Sequence, residues 1–85
     1  MIYKVYAIYD RALEAYTSPM FFRANGEALR AFMDEAARAD SKINVHPEDF
    51  AIWFVGTWNE DTGELLGLEE PMLLARAYDL EPMKE

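Results

Sequence analysis

The period of the hydrophobic pattern changes several times along the chain, and each change marks an element. In residues 2–9 both alternating sets are apolar or aromatic, with Tyr3, Val5, Ala7 and Tyr9 on one face and Ile2, Lys4, Tyr6 and Ile8 on the other. That alternation predicts a strand with both faces covered. Residues 10–18 read as a connection whose stretch from Arg11 to Ala15 is too short for a stable helix and suffices only for a helical turn. A second strand is expected over residues 20–23, with Pro19 at its entrance, where a missing N–H costs least. The period then becomes helical. Asn25 is the expected N-cap and Glu27 suits the positively polarised first turn. Ala28, Leu29, Phe32, Met33 and Ala36 recur on one face of a helix ending near Asp40. Arg30, Asp34 and Arg38 point elsewhere, and Arg30 with Asp34 would form an exposed pair worth about 0.3 kcal/mol.

Residues 41–49 read as a loop, in which Pro47 moves His46 out of helical backbone. Residues 51–58 carry the strongest strand signal, and regular alternation puts Ile52, Phe54 and Trp58 on one face and Trp53, Val55 and Thr57 on the other. On that count the two tryptophans face opposite sides. Residues 59–64 form a hairpin turn closed by Gly63 at positive φ, and residues 65–68 return as a strand. Pro71 then suits the start of a helical turn from Met72 to about Tyr78, with an extended tail as the alternative. The prediction is an α+β fold of order β-β-α-β-β, an antiparallel sheet packed by one helix, in a single domain over residues 1–85.

Composition narrows the function classes. With 85 residues and no cysteine, the chain has no disulfide framework, thiolate metal site or cysteine nucleophile. No apolar run approaches the 18 residues of a membrane span and no secretory signal is visible, so a cytoplasmic location is expected. The 8 basic and 16 acidic residues give a net charge of −8, and their distribution is uneven. Residues 1–43 hold six of each sign, whereas residues 44–85 hold two basic and ten acidic, so the excess belongs to the second half. A neutral or basic patch is thus possible in the first half, because screening limits exposed charges to about 8 Å.

Chemistry for catalysis is sparse. His46, Glu48 and Asp49 offer one imidazole and two carboxylates, but adjacent carboxylates directed apart do not converge, and the spacing fits no metal or catalytic motif. No nucleotide-binding glycine loop, nucleophile elbow or H-E-x-x-H occurs, so no catalytic residue, metal or cofactor is expected. The acidic pairs Glu60-Asp61 and Glu69-Glu70 lack the ordered ligands of a calcium loop and read as solvated surface. Aromatic residues offer more. Tyr3, Tyr9, Phe21, Phe22 and Trp53 could stack on bases, with Lys4, Arg11, Arg23 and Arg30 near them in sequence to hold phosphates. The competing use of these aromatics is as core.

Five segments recur together in a known family: Tyr3-Lys4-Val5-Tyr6-Ala7-Ile8-Tyr9-Asp10, Pro19-Met20-Phe21-Phe22, Gly26-Glu27-Ala28-Leu29-Arg30-Ala31-Phe32, His46-Pro47-Glu48-Asp49-Phe50 and Asp61-Thr62-Gly63-Glu64. From Met1 to about Leu80 the chain resembles the small non-structural proteins of gokushovirus-type microviruses, which are single-stranded DNA phages. The resemblance implies a non-enzymatic, DNA-binding role in producing or packaging the viral genome, and supplies no catalytic residues. It marks Arg30, a charge between apolar helix positions, as either a buried partner of Asp10 or Asp49 or a ligand contact.

Two functions follow as expectations. The first is single-stranded DNA binding by Tyr3, Tyr9, Phe21 and Trp53 with Lys4, Arg11, Arg23 and Arg30. The second is an adaptor whose acidic second half binds a basic viral or host protein. Because one helix covers only one face of a sheet that is apolar on both, a homodimer is also expected.

Overall fold

A computed structural model describes residues 1–80 and contains the expected antiparallel sheet with a helix packed against it. The strands are β1 (Ile2–Asp10), β2 (Ala15–Tyr16), β3 (Met20–Phe22), β4 (Phe50–Asn59) and β5 (Glu64–Arg76). The helices are α1 (Asn25–Ala37) and the short α2 (Lys42–Val45), followed by a 3-10 turn over Pro47–Asp49. The sheet order is β2-β1-β4-β5, and β3 pairs with β1 along the same edge as β2. The predicted helical turn over residues 11–15 does not form. Residues 11–14 make a tight turn with Glu14 at φ 53°, and Ala15 and Tyr16 instead pair with Asp10 and Tyr9.

Helix α1 packs as its periodicity requires. Ala28, Phe32 and Ala36 are buried, Leu29 and Met33 half-buried, and Arg30, Asp34 and Arg38 exposed. Its N-cap is Ala24 rather than Asn25. The Asn25 carboxamide oxygen accepts from the Tyr6 hydroxyl, tying the helix start to the sheet. Glu27 reaches back to accept the Arg23 N–H at 2.8 Å, satisfying a donor at the helix entrance. The helix stops at Ala37, where Arg38 pairs with Glu35 at 2.8 Å and Asp40 at 3.3 Å. The expected loop after it holds α2, capped by Ser41, whose Oγ accepts the Ile43 N–H at 3.1 Å.

The core lies between α1 and one sheet face. Tyr6, Phe32 and Ile52 are its largest fully buried side chains, joined by Ile43 and Ala77, with Phe22, Phe50 and Phe54 around them. Tyr6 meets the rings of Phe22 and Phe54 at 5.9 and 5.5 Å. Burial, and then the Glu27 carboxylate, hold the Tyr6 phenol above its ordinary pKa of 10.

Two irregularities in β4 and β5 overturn parts of the sequence reading. Val5 pairs with Gly56 and Tyr6 with Phe54, so Val55 is an extra residue in β4. The bulge inverts the face assignment beyond it, and Trp58 shares a face with Trp53. In β5, Gly67 pairs with Gly56 and Met72 with Phe54, so residues 68–71 have no counterpart there. The predicted helical turn after Pro71 is absent: Met72, Leu73, Ala75 and Arg76 are in register with β4. Ladder hydrogen bonds and packing against β4 outweigh the helical preference of this short segment. The extended alternative holds to Arg76, and a 3-10 turn follows at residues 78–80.

Candidate functional site

The site is the sheet face opposite α1. Residues directly paired across an antiparallel ladder share a face, so the register assigns it. Tyr3 pairs with Trp58, which pairs with Leu65; Ala7 pairs with Trp53, which pairs with Leu73; Tyr9 pairs with Tyr16 and with Ala51, which pairs with Arg76. Phe21 joins them through its pairing with Val5. Six aromatic residues therefore stand on the face that α1 does not cover. The Phe21 and Trp58 rings meet edge to face at 6.3 Å, and Tyr9 meets Tyr16 at 4.9 Å. Phe21 is 47% exposed, and Leu65 60%.

Two clefts open at the ends of this face. One, of about 480 Å³, is lined by Tyr3, Phe21, Trp58, Leu65 and Glu60. The other, of about 430 Å³, is lined by Tyr9, Trp53 and Leu73 together with Arg11, Arg76, Glu48, Asp49 and Asp79. Between them β1 and β4 contribute only the small, buried Val5, Ala7 and Gly56. Gly56 is required there, because a Cβ would lie 2.3 Å from the Leu66 carbonyl oxygen. The Trp53 Nε1 is buried without an acceptor among the described residues.

The four aromatic candidates from the sequence, Tyr3, Tyr9, Phe21 and Trp53, thus come together on one surface. The four cations do not. Arg11 borders the second cleft, with its Nη2 3.1 Å from Asp49 Oδ1. Lys4 lies on the helix side, its Nζ 5.6 Å from the Phe54 ring centroid. Arg23 is exposed at the α1 entrance and Arg30 on its outer side. Arg30 is therefore no buried ion-pair partner. Asp49 is taken by Arg11, and Asp10 Oδ1 accepts the Ala12 N–H at 3.0 Å. Phe22 belongs to the core.

Sequence reasoning missed Trp58, Tyr16, Leu65, Leu73 and Arg76. Trp58 was hidden by the bulge, although Gly56 inside a strong strand pattern is the signal for one. Arg76 was hidden by the helical reading of its segment. The H-P-E-D turn also differs from expectation. One ligand atom from each of His46, Glu48 and Asp49 lies within 4.8 Å of the others, so these groups do converge. His46 and Glu48 are exposed, and Asp49 Oδ1 already accepts from Arg11 Nε at 3.3 Å and Nη2 at 3.1 Å. The Arg11 charge beside them opposes a cation there.

Fold and surface define a small α+β protein with one sheet face buried by its own helix and the other aromatic and open. The family model described as Phage ORF5 protein matches residues 3–80, and the chain belongs to that family of phage proteins. No curated protein and no solved structure matches the chain. Among the described residues no helix is long and apolar enough to cross a membrane.

Proposed function

We propose that this phage protein is the non-structural protein of a gokushovirus-type microvirus, acting without catalysis in the host cytoplasm. In this reading it supports production or packaging of the single-stranded genome by binding single-stranded DNA on its aromatic face. One observation carries the reading: Tyr3, Tyr9, Phe21, Trp53 and Trp58 share the sheet face that α1 leaves uncovered. Aromatic platforms contribute about 1–3 kcal/mol per stacked base, whatever the base. A net charge of −8 repels the dense phosphates of a duplex, so unpaired bases are the ligand this surface favours. Titration with single-stranded and duplex oligonucleotides at two salt concentrations tests it. Tighter single-strand binding with a shallow salt slope is expected. Duplex preference, or no single-strand binding at low salt by the folded protein, would overturn it in favour of the acidic adaptor.

Self-association belongs to the same proposal. Leu66 and Met72 of β5 are exposed and lie off the aromatic face, through their pairing with Thr57 and Phe54, and apolar surface of this kind is commonly covered by a second copy with two-fold symmetry. Sedimentation should show a homodimer at high micromolar concentration. A monomer there would remove this part without touching the DNA reading.

A further inference from the structure

Resting on the single-stranded DNA reading, we propose that the aromatic face divides the work of binding between its two ends. The Tyr9–Trp53 cleft holds phosphate through Arg11 and Arg76, while the Phe21–Trp58 cleft stacks a base and neutralises no phosphate. The placement of the arginines sets this polarity. Arg11 and Arg76 are the only cations among the described residues that line the second cleft, and both are mostly exposed. At the other end Glu60 lines the cleft and Asp61 follows it in the hairpin; the Met1 ammonium is 3.6 Å from the first carboxylate and 3.0 Å from the second. Among the described residues no arginine or lysine lines that end. Neither guanidinium is free of competition: Asp49 is 3.1 Å from Arg11, Asp79 is 3.8 Å from Arg76, and Glu48 lines the same cleft.

The footprint is short. Tyr3 and Tyr9 are six positions apart on β1, about 20 Å at strand rise. That span suits roughly four nucleotides, the low end for a single small domain. Each phosphate neutralised on a single strand adds about 0.7 to the slope of log affinity against log salt, so two guanidiniums limit the slope to about 1.4. Lys4, Arg23 and Arg30, which lie off this face, contribute nothing to it.

The test is a salt series of oligothymidylates from two to eight nucleotides, read by tryptophan fluorescence, with each variant first shown to be folded by circular dichroism. Affinity should rise with length up to about four nucleotides and then level, apart from the statistical gain of longer strands. Arg11→Ala and Arg76→Ala should each lower the slope by about 0.7. Phe21→Ala should weaken binding roughly 5- to 150-fold and leave the slope unchanged, and Trp58→Phe, which keeps an aromatic ring, should retain most of the affinity. Lys4→Ala, Arg23→Ala and Arg30→Ala should leave the slope where it was. Binding that persists with a slope above about 3, or a slope lowered by Lys4→Ala, Arg23→Ala or Arg30→Ala but not by Arg11→Ala, overturns the division of labour alone. Absence of binding to every oligothymidylate overturns the DNA reading and this inference with it.

Discussion

The two faces of the sheet are built from the same strands and are almost equally apolar, yet they end in different states. On the covered face, Tyr6 and Ile52 are sealed beneath Phe32 of α1, and the Tyr6 hydroxyl is partnered by Asn25. On the open face, Phe21 remains 47% exposed, and Tyr3, Tyr9, Trp53 and Trp58 only half-buried. Apolar character alone therefore does not decide burial; the supply of covering elements does. A chain of 85 residues with one helix of 13 can cover one face of the sheet and leaves the aromatic rings of the other partly exposed.

That contrast can be broken by truncating one ring on each face. Phe32→Ala should cost about 4 kcal/mol in urea unfolding, because it empties a fully enclosed site. Phe21→Ala should cost less than about 1 kcal/mol. Equal losses would mean that the open face is as much a part of the core as the covered one. Next in size is Gly56→Ala, expected to cost about 3 kcal/mol, since the added methyl meets the β5 backbone rather than a mobile side chain. A neutral result would show that β4 and β5 can separate there.

Tyr6→Phe sharpens the comparison from the covered side. Losing the hydroxyl bond to Asn25 should cost about 1 kcal/mol at neutral pH. The phenol also imposes a pH dependence. Its folded pKa is raised above 10, so its contribution is intact below pH 10 and declines as pH climbs through the raised value, where the unfolded chain ionises first. Denaturant titrations between pH 9 and 12 should show this decline in the wild type and a shallower one in Tyr6→Phe. The smallest effect lies at the turn beside the open face. Glu14→Gly should stabilise by about 0.5 kcal/mol by relieving the left-handed backbone at φ 53°.

The covered face was legible in the sequence because its signals are local and periodic. Ala28, Phe32 and Ala36 announce a helix face, and Gly63 takes the positive φ, 77°, that the hairpin turn asked for. The open face was half legible. Tyr3, Tyr9 and Phe21 follow from unbroken alternation in β1 and from the short β3, but Trp58 depends on one extra residue, Val55, which reverses the parity of everything after it. Arg76 was out of reach for another reason. Its segment has enough helical character to satisfy a local reading, and only β4, more than twenty residues earlier, makes it a strand. Asn25 had the right chemistry for a cap, but Tyr6 supplies a donor that only the tertiary fold brings to it.

The four unmatched residues of β5 bear on how the sheet edge meets other molecules. Among the described residues β5 pairs with β4 alone, and its outer margin is the kind of template on which sheets of neighbouring molecules grow without limit. Residues 68–71 interrupt that template with Glu69, Glu70 and Pro71, two like charges and a residue that lacks the backbone donor a neighbouring strand needs. An incoming strand could dock along Glu64–Gly67 or Met72–Arg76 but could not zip through the interruption. The excursion thus breaks the continuous edge that fibrous polymerisation would need.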